Sequence, residues 1–447
     1  MATLARQLGF YSATALVVSN MIGTGIFTAT GFMAGDLGAA KWILLAWLVG
    51  GVCALCGALT YAELGINFPR SGGEYVYLTE AYGQGWGFIS GWISFFAGFS
   101  APIAAAAIAF ADYTATFVPV LRQGQEFGAG ALTFRIGGVQ LLAAGLIALC
   151  TVLNCFGIRR VARVQNFLTG TKLVVIIAFI VLALLVGQGS WAHFGQATAR
   201  TSPYSLPIQF VISLLWVMVS YSGWNAATYV AEEIRDPQRT LPRALAVGTG
   251  LVLLLYVALN LVFIYAVPLN SMKGVISVGS LAAANLFGAR AGTVFAALMA
   301  VALISTVNAM VTIGPRVYFA MAREGAFIPA AARLHPRWQT PVVAIVCQGL
   351  CAIAMTFTSF PQLVLYIGFS LTMFTALAVA SVFLFRRRAD WQQLTALNRG
   401  YPFIPALYVV VSAAMVGYGL IWQPLASTAS LLTIAAGALG WRLLKGK

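Results

Sequence analysis

The sequence predicts an all-α integral membrane protein with twelve transmembrane helices. Three observations carry that reading. The 447 residues are 60% hydrophobic and only 8% charged, with a mean hydropathy of +0.89. A soluble domain carries about 25% charged residues, so this composition cannot cover a surface that faces water. The apolar runs are about 20 residues long without polar alternation, which suits helices rather than the strands of a barrel. Finally, the basic residues segregate between alternate loops.

The spans fall at roughly 9–33, 42–65, 84–118, 136–156, 164–187, 207–231, 244–267, 282–319, 341–358, 362–385, 402–422 and 425–443. The third and eighth are long enough to tilt or to extend beyond the bilayer. With the N-terminus inside, the inner segments hold Arg6, Arg70, Arg159, Arg160, Arg163, Arg235, Arg239, Arg243, Arg316, Arg323, Arg333, Arg337, Arg386, Arg387, Arg388, Arg399, Arg442, Lys445 and Lys447. The outer segments hold only Lys41, Arg122, Arg135, Arg200, Lys273 and Arg290, and Lys172 lies within a span. Basic loops stay cytoplasmic, so both termini are expected inside an inner or plasma membrane. No cleavable signal is expected in "MATLARQLGF".

The net charge of +15 has the same topological origin, and no nucleic-acid partner is expected. Six cysteines (Cys53, Cys56, Cys150, Cys155, Cys347 and Cys351) read as buried thiols, without the second pair or histidines that a metal site needs. The two histidines, His193 and His335, lie in loops. No nucleophile motif or phosphate-cradling loop stands out, so no catalytic residue, metal or cofactor is expected, and the chain does not read as an enzyme.

Two spans are interrupted at mid-depth. "NMIGTGIF" (20–27) places Gly23 and Gly25 inside the first, and "SYSGWNAATYV" (220–230) places Ser222 and Gly223 inside the sixth. Each opens a group of five spans. An odd number inverts a repeat in the membrane, and paired interruptions in corresponding halves point to a transporter site. The expected units are 1–190 (helices 1–5, broken near 23–25), 191–388 (helices 6–10, broken near 221–224) and 389–447 (helices 11 and 12).

A broken helix exposes N–H groups that suit a carboxylate and C=O groups that suit an ammonium. A zwitterion carrying both matches the expected contacts at Ile22, Gly23, Thr24, Gly25 and Ile26, and at Val219, Ser220, Tyr221, Ser222, Gly223 and Asn225. Tyr221 and Trp224 flank the second break as gate residues. Gly98, Gly145, Gly248 and Gly250 read instead as helix-packing positions. Lys172, deep in the fifth span, is expected to brace that span against the first, or to titrate; the alternative is snorkelling to the inner face. Glu232 and Glu233 are expected to pair with Arg235 and Arg239. No acid is expected near either break, which favours neutral amino acids over cationic ones.

"MIGTGIF", "YAELGINFPRSGGEYVYLTEAYG" (61–83), "YSGWNAATYVAEEIRDPQRTLPRA" (221–244) and "GPRVYFAMAREGAF" (314–327) together resemble the amino acid–polyamine–organocation (APC) superfamily, closest to its L-amino acid transporter (LAT) family. The resemblance runs to roughly residue 345. It implies the leucine-transporter (LeuT) fold, with 5+5 inverted repeats plus two extra helices, and alternating access. It also implies that Gly23, Thr24, Gly25 and Ile26 hold the carboxylate. Tyr221 stands where many members carry a gating Phe, and Trp224 and Asn225 match the motif's Trp and Asn. Lys172 matches a lysine near the sodium site of sodium-coupled relatives, which implies sodium-independent transport, with exchange as the expected mode. The alternatives are a proton-coupled symporter or a carrier of cationic amino acids or polyamines. Animal members bind a heavy subunit through a cysteine after the third span. Loop 118–135 has none, so no disulfide-linked heavy subunit is expected.

Overall fold

Glycine and proline positions divide the apolar runs into helices. The computed structural model describes residues 6–129, 132–275 and 277–445, so Lys447 of the inner charges lies outside the described residues. The first run forms α1 (Phe10–Met21) and α2 (Gly25–Leu37). The unbroken α3 (Ala40–Asn67) and the short α4 (Glu74–Tyr82) follow. α5 (Gln84–Ile93) and α6 (Ala101–Thr114) join through a π-helical turn at Ser94–Ser100. Pro102 accounts for the wider turn, because it has no N–H to return to the preceding turn.

The chain is mostly helical, as expected, and the next loop adds a short hairpin that was not expected. β1 (Gly124–Ala129) pairs antiparallel with β2 (Leu132–Gly137), setting Phe127 opposite Phe134. Leu132, Phe134 and Ile136 alternate with Thr133, Arg135 and Gly137, a strand period that a search for long apolar runs passes over.

α7 (Gly138–Asn154) and α8 (Ile158–Leu185) complete the first half. α9 (Leu206–Tyr221) ends at a second break, where Gly223 has φ 99° and a 3-10 segment, Ala226–Glu233, takes over. α10 (Pro237–Ala266), α11 (Leu269–Met272) and α12 (Val278–Phe287) follow. The expected eighth span, 282–319, is divided among α12, α13 (Ala289–Ile313) and α14 (Pro315–Arg323). Gly288, at φ 92°, turns the chain between the first two. The remainder is α15 (Val342–Met355), α16 (Phe360–Phe385), α17 (Thr395–Asn398), α18 (Phe403–Trp422) and α19 (Pro424–Lys445).

Among the described residues, ten helical stretches are long and apolar enough to cross a membrane. Two of the twelve expected spans, 136–156 and 341–358, fall on α7 and α15, of 17 and 14 residues. At 1.5 Å per residue these run about 26 and 21 Å, short of a hydrocarbon core of about 30 Å. They are the fourth span of each expected repeat.

The core runs where α1 packs against α10, α8 and α13, and where α3 lies along α10. A Cβ on Gly248 would stand 2.8 Å from Val17 Cγ1, as expected of a packing glycine, whereas one on Gly145 or Gly250 would meet nothing within 4 Å. The N-terminal segment is tied to the end of the 3-10 segment. Gln7 and Leu8 N–H donate to Glu233 O at 2.8 Å, and Arg235 N–H donates to Leu8 O at 2.8 Å.

Glu233 pairs with Arg316 at 2.8 Å and Glu232 with Arg323 at 3.1 Å. This corrects the expected pairing with Arg235 and Arg239: the sequence neighbours point outward, and α14 brings in the partners. Glu233 and Arg316 are both 2% exposed. Removing one member of a buried pair strands the other charge. Arg316→Met is therefore expected to destabilise the protein by about 3–5 kcal/mol. Thermal unfolding in detergent should show the double variant Glu233→Leu/Arg316→Met melting above Arg316→Met alone.

Candidate functional site

The two breaks lie against each other. A Cβ on Gly25 would stand 2.7 Å from Ser220 Cα, and one on Gly223 would stand 2.9 Å from the Asn20 carbonyl carbon. Only bare glycine backbone allows this approach, and Gly223 also adopts a left-handed conformation that costs a glycine nothing. The Tyr256 hydroxyl links the two helix ends, 2.6 Å from Met21 O and 3.0 Å from Ser220 O.

Lys172 faces the first break. Its Nζ donates to Ile22 O and to Thr306 Oγ1, both at 2.8 Å, and the Thr306 hydroxyl donates to Ile22 O at 2.8 Å. A helix end leaves its last carbonyls without intrahelical partners. Here the ammonium takes one of them and ties α8 to α1 and α13. The side chain is 2% exposed and does not reach for the interface. A run of amides and hydroxyls continues away from it. Gln165 Nε2 donates to Ser19 Oγ at 2.6 Å, Asn308 Nδ2 to Gln165 Oε1 at 2.7 Å and Asn154 Nδ2 to Asn308 Oδ1 at 3.0 Å.

Two small cavities open between the breaks. One, of about 40 Å³, is lined by Gly23, Thr24, Gly25, Val219, Ser220 and Ser222. The other, of about 50 Å³, is lined by Ser222, Gly223, Trp224, Asn225, Tyr229 and Thr372. Asn20, Pro102, Ser222 and Met310 border both, so these are adjoining compartments of one site. The first compartment is bordered by both helix ends together with Ala105, Ala106, Val364 and Ile367, and the second by Trp224, Asn225, Tyr229 and Thr372 among others. A third cavity, of about 310 Å³, lies beyond α2 on the side opposite the N-terminus, lined by Thr28, Phe32, Asp112 and Arg122 among others.

Most of the residues expected from sequence meet here, with three exceptions. Ile22 lines neither compartment and its carbonyl is taken by Lys172 and Thr306, and Ile26 is fully buried away from both compartments. Tyr221 also turns away. Its ring packs edge-on against Trp47 and beside Tyr256, and its hydroxyl donates to Trp47 O at 3.1 Å. Trp224, edge-on to Tyr61 and Tyr408, is the flanking aromatic that lines the site.

Four contributors were not expected. Thr306 and Tyr256 are ordinary polar residues in apolar helices until tertiary contacts place them. Asn20 lines both compartments with a buried Oδ1 that has no hydrogen-bond partner. It stands three residues before the first glycine, and its polarity at mid-span was the available signal. Glu74 is the fourth, and it corrects the expectation that no acid lies near a break: Asn225 Nδ2 donates to its Oε1 at 2.5 Å.

The arrangement can receive a zwitterion. The leading N–H groups of α2 offer donors and a positive helix end to a carboxylate. The carbonyls ending α1 and α9 offer acceptors to an ammonium. No group of His, Cys, Asp and Glu that could hold a metal occurs among the described residues.

Comparison with known proteins agrees. The family model for amino acid permease matches residues 8–440. The serine/threonine exchanger SteT of Bacillus subtilis is 30% identical over 97% of this chain and 95% of its own length. Human large neutral amino acids transporter small subunit 2 is 29% identical over 97% of the chain and 79% of its own. Human Asc-type amino acid transporter 1 is 27% identical over 97% and 81%. The chain belongs to the amino acid permease family, and is an integral membrane amino acid transporter of the LAT type rather than an enzyme.

Proposed function

We propose that the protein carries neutral L-α-amino acids without sodium, by alternating access and in exchange for an amino acid on the far side. The observation that carries this reading is the pair of breaks facing one another across a divided cavity. The compartment beside Gly23, Thr24, Gly25 and Ser220 suits the carboxylate and ammonium common to all α-amino acids. The second compartment, of about 50 Å³, suits a small side chain. Ser222, Asn225 and Thr372 along its wall fit serine, threonine or alanine better than leucine. The name of the Bacillus relative points the same way.

Sodium independence rests on Lys172. Its ammonium already occupies Ile22 O and Thr306 Oγ1, the oxygens that a monovalent cation at this break would need. Twelve crossings in a LeuT-type arrangement, with units 1–190, 191–388 and 389–447, complete the reading. The corresponding breaks and the corresponding short helices α7 and α15 support two inverted repeats. The charge distribution of the loops supports both termini inside an inner or plasma membrane. The cysteine-free hairpin loop supports a carrier without a disulfide-linked heavy subunit.

The test is uptake of radiolabelled L-serine into sodium-free proteoliposomes. Uptake should require internal L-serine, be indifferent to added sodium and resist excess arginine. Equal uptake into empty vesicles would overturn exchange, and uptake driven only by an imposed pH gradient would replace it with proton symport.

A further inference from the structure

Glu74 opens α4, outside the candidate spans, yet its side chain is enclosed at 3% exposure. Gly72 and Gly73, both at positive φ, turn the chain so that it enters the bundle beneath the second break. Its Oε1 accepts from the Tyr61 hydroxyl at 2.9 Å and from Asn225 Nδ2 at 2.5 Å. The same amide nitrogen lies 2.9 Å from the Tyr229 hydroxyl. Glu74 Oε2 is buried with no hydrogen-bond partner. The titratable groups around it are all tyrosines: Tyr61 from α3, Tyr77 from α4, Tyr229 from the 3-10 segment and Tyr408 from α18. Among the described residues no Lys, Arg or His forms an ion pair with it.

A carboxylate here would have the Tyr61 and Tyr229 hydroxyls and the Asn225 amide around it but no cation to balance its charge, a costly state for a buried acid. Burial accordingly pushes the Glu74 carboxyl above its ordinary range, against the pull of its hydrogen bonds. Meanwhile Asn225 and Tyr229 form part of the wall of the side-chain compartment. Because Asn225 Nδ2 is committed to Glu74 and Tyr229, the amide can rotate only by giving up both contacts.

We propose that Glu74 is a positioning residue for the substrate compartment, working as an uncharged acid that fixes the Asn225 amide at the second break. Ionisation places an uncompensated charge under the break and disfavours this closed arrangement. Transport then falls as the pH rises through the Glu74 titration. The sign follows from linkage: a carboxyl whose folded-state pKa is raised contributes stability at low pH that is lost as pH rises through the folded pKa. Glu74→Gln keeps the acceptor oxygen and cannot ionise, so it removes that loss.

The transport arm of the test rests on the carrier reading above, and the spectroscopic arm does not. Infrared difference spectra of the full-length protein at neutral pH, wild type against Glu74→Gln, should show a protonated carboxyl C=O band present only in wild type. Absence of that band overturns the proposal. If Glu74→Gln does not fold, Tyr61→Phe, which removes one donor to Oε1, should shift the same band, and an unshifted spectrum overturns it equally. In L-serine counterflow, Glu74→Gln should exchange faster than Glu74→Ala at neutral pH and lose the alkaline decline. Glu74→Ala should lose exchange by about tenfold or more, in line with freeing a buried hydrogen-bonded amide. A Glu74→Gln variant as impaired as Glu74→Ala would overturn the positioning role. Wild type that shows the band but exchanges no L-serine would fault the substrate assignment, not Glu74.

Discussion

Replacing Lys172 with alanine is expected to cut exchange by about a hundredfold while leaving amino acid binding measurable. The ammonium makes two hydrogen bonds of 2.8 Å, to Ile22 O and Thr306 Oγ1, in a site closed to water. Bonds to a buried charged donor are worth about 1.5–3 kcal/mol each, and each 1.4 kcal/mol is about tenfold in an equilibrium. Losing both leaves the Ile22 carbonyl held only by Thr306 and uncouples α8 from the end of α1. The first break then loses its fixed geometry. Ligand-dependent thermal shift reports binding, and counterflow in proteoliposomes reports transport. Binding without transport supports a brace between helices that move relative to each other. Lys172→Gln, which keeps a neutral donor on a shorter stem, should recover part of the rate. Unchanged transport in the alanine variant would reduce Lys172 to a packing residue.

This residue also shows how far the sequence could be read. A lone lysine inside "FLTGTKLVVIIAF" is costly in lipid, so a functional or paired role followed from solvation alone. Its partners did not follow, because Thr306 lies 134 positions away and nothing local marks it. The breaks were legible for a similar reason. Glycines at mid-span contradict the helix propensity that a membrane segment otherwise maximises, and such a local conflict survives any tertiary context.

Contacts that depend on chain reversal were illegible. Arg316 and Arg323 approach Glu233 and Glu232 only because α13 returns them to the N-terminal side, so sequence neighbours looked like the natural partners. Glu74 was invisible for the opposite reason: it sits in a loop motif, and only the positive-φ glycines before it send its side chain inward. Tyr221 and Trp224 are three positions apart across a break, where helical periodicity no longer says which one faces the cavity. The hairpin after α6 escaped because six alternating residues carry little weight beside runs of twenty apolar ones.

Gly25→Ala is expected to cut exchange by about tenfold or more. A Cβ at this position would lie 2.3 Å from Ser220 Oγ and 2.7 Å from Ser220 Cα. The hydroxyl could rotate, but the Cα belongs to the backbone of the second break and cannot yield without moving α9. Overpacking a rigid core costs about 1–3 kcal/mol, and here the strain falls on the two segments that wall the head-group compartment. Separating α2 from α9 also pulls the leading N–H groups of α2 away from the carbonyls ending α9. The carboxylate and ammonium of one zwitterion can then no longer be met together. Gly250→Ala supplies the control, because a Cβ there meets nothing within 4 Å and alanine is the better helix former. Counterflow and thermal unfolding on both variants separate the effects. Gly250→Ala should match wild type in rate and equal or exceed it in melting temperature. Gly25→Ala should lose exchange even where detergent-purified protein still unfolds cooperatively. Exchange within about twofold of wild type, far less than strain of 1–3 kcal/mol implies, would mean that the two breaks separate freely and that their contact does not build the site.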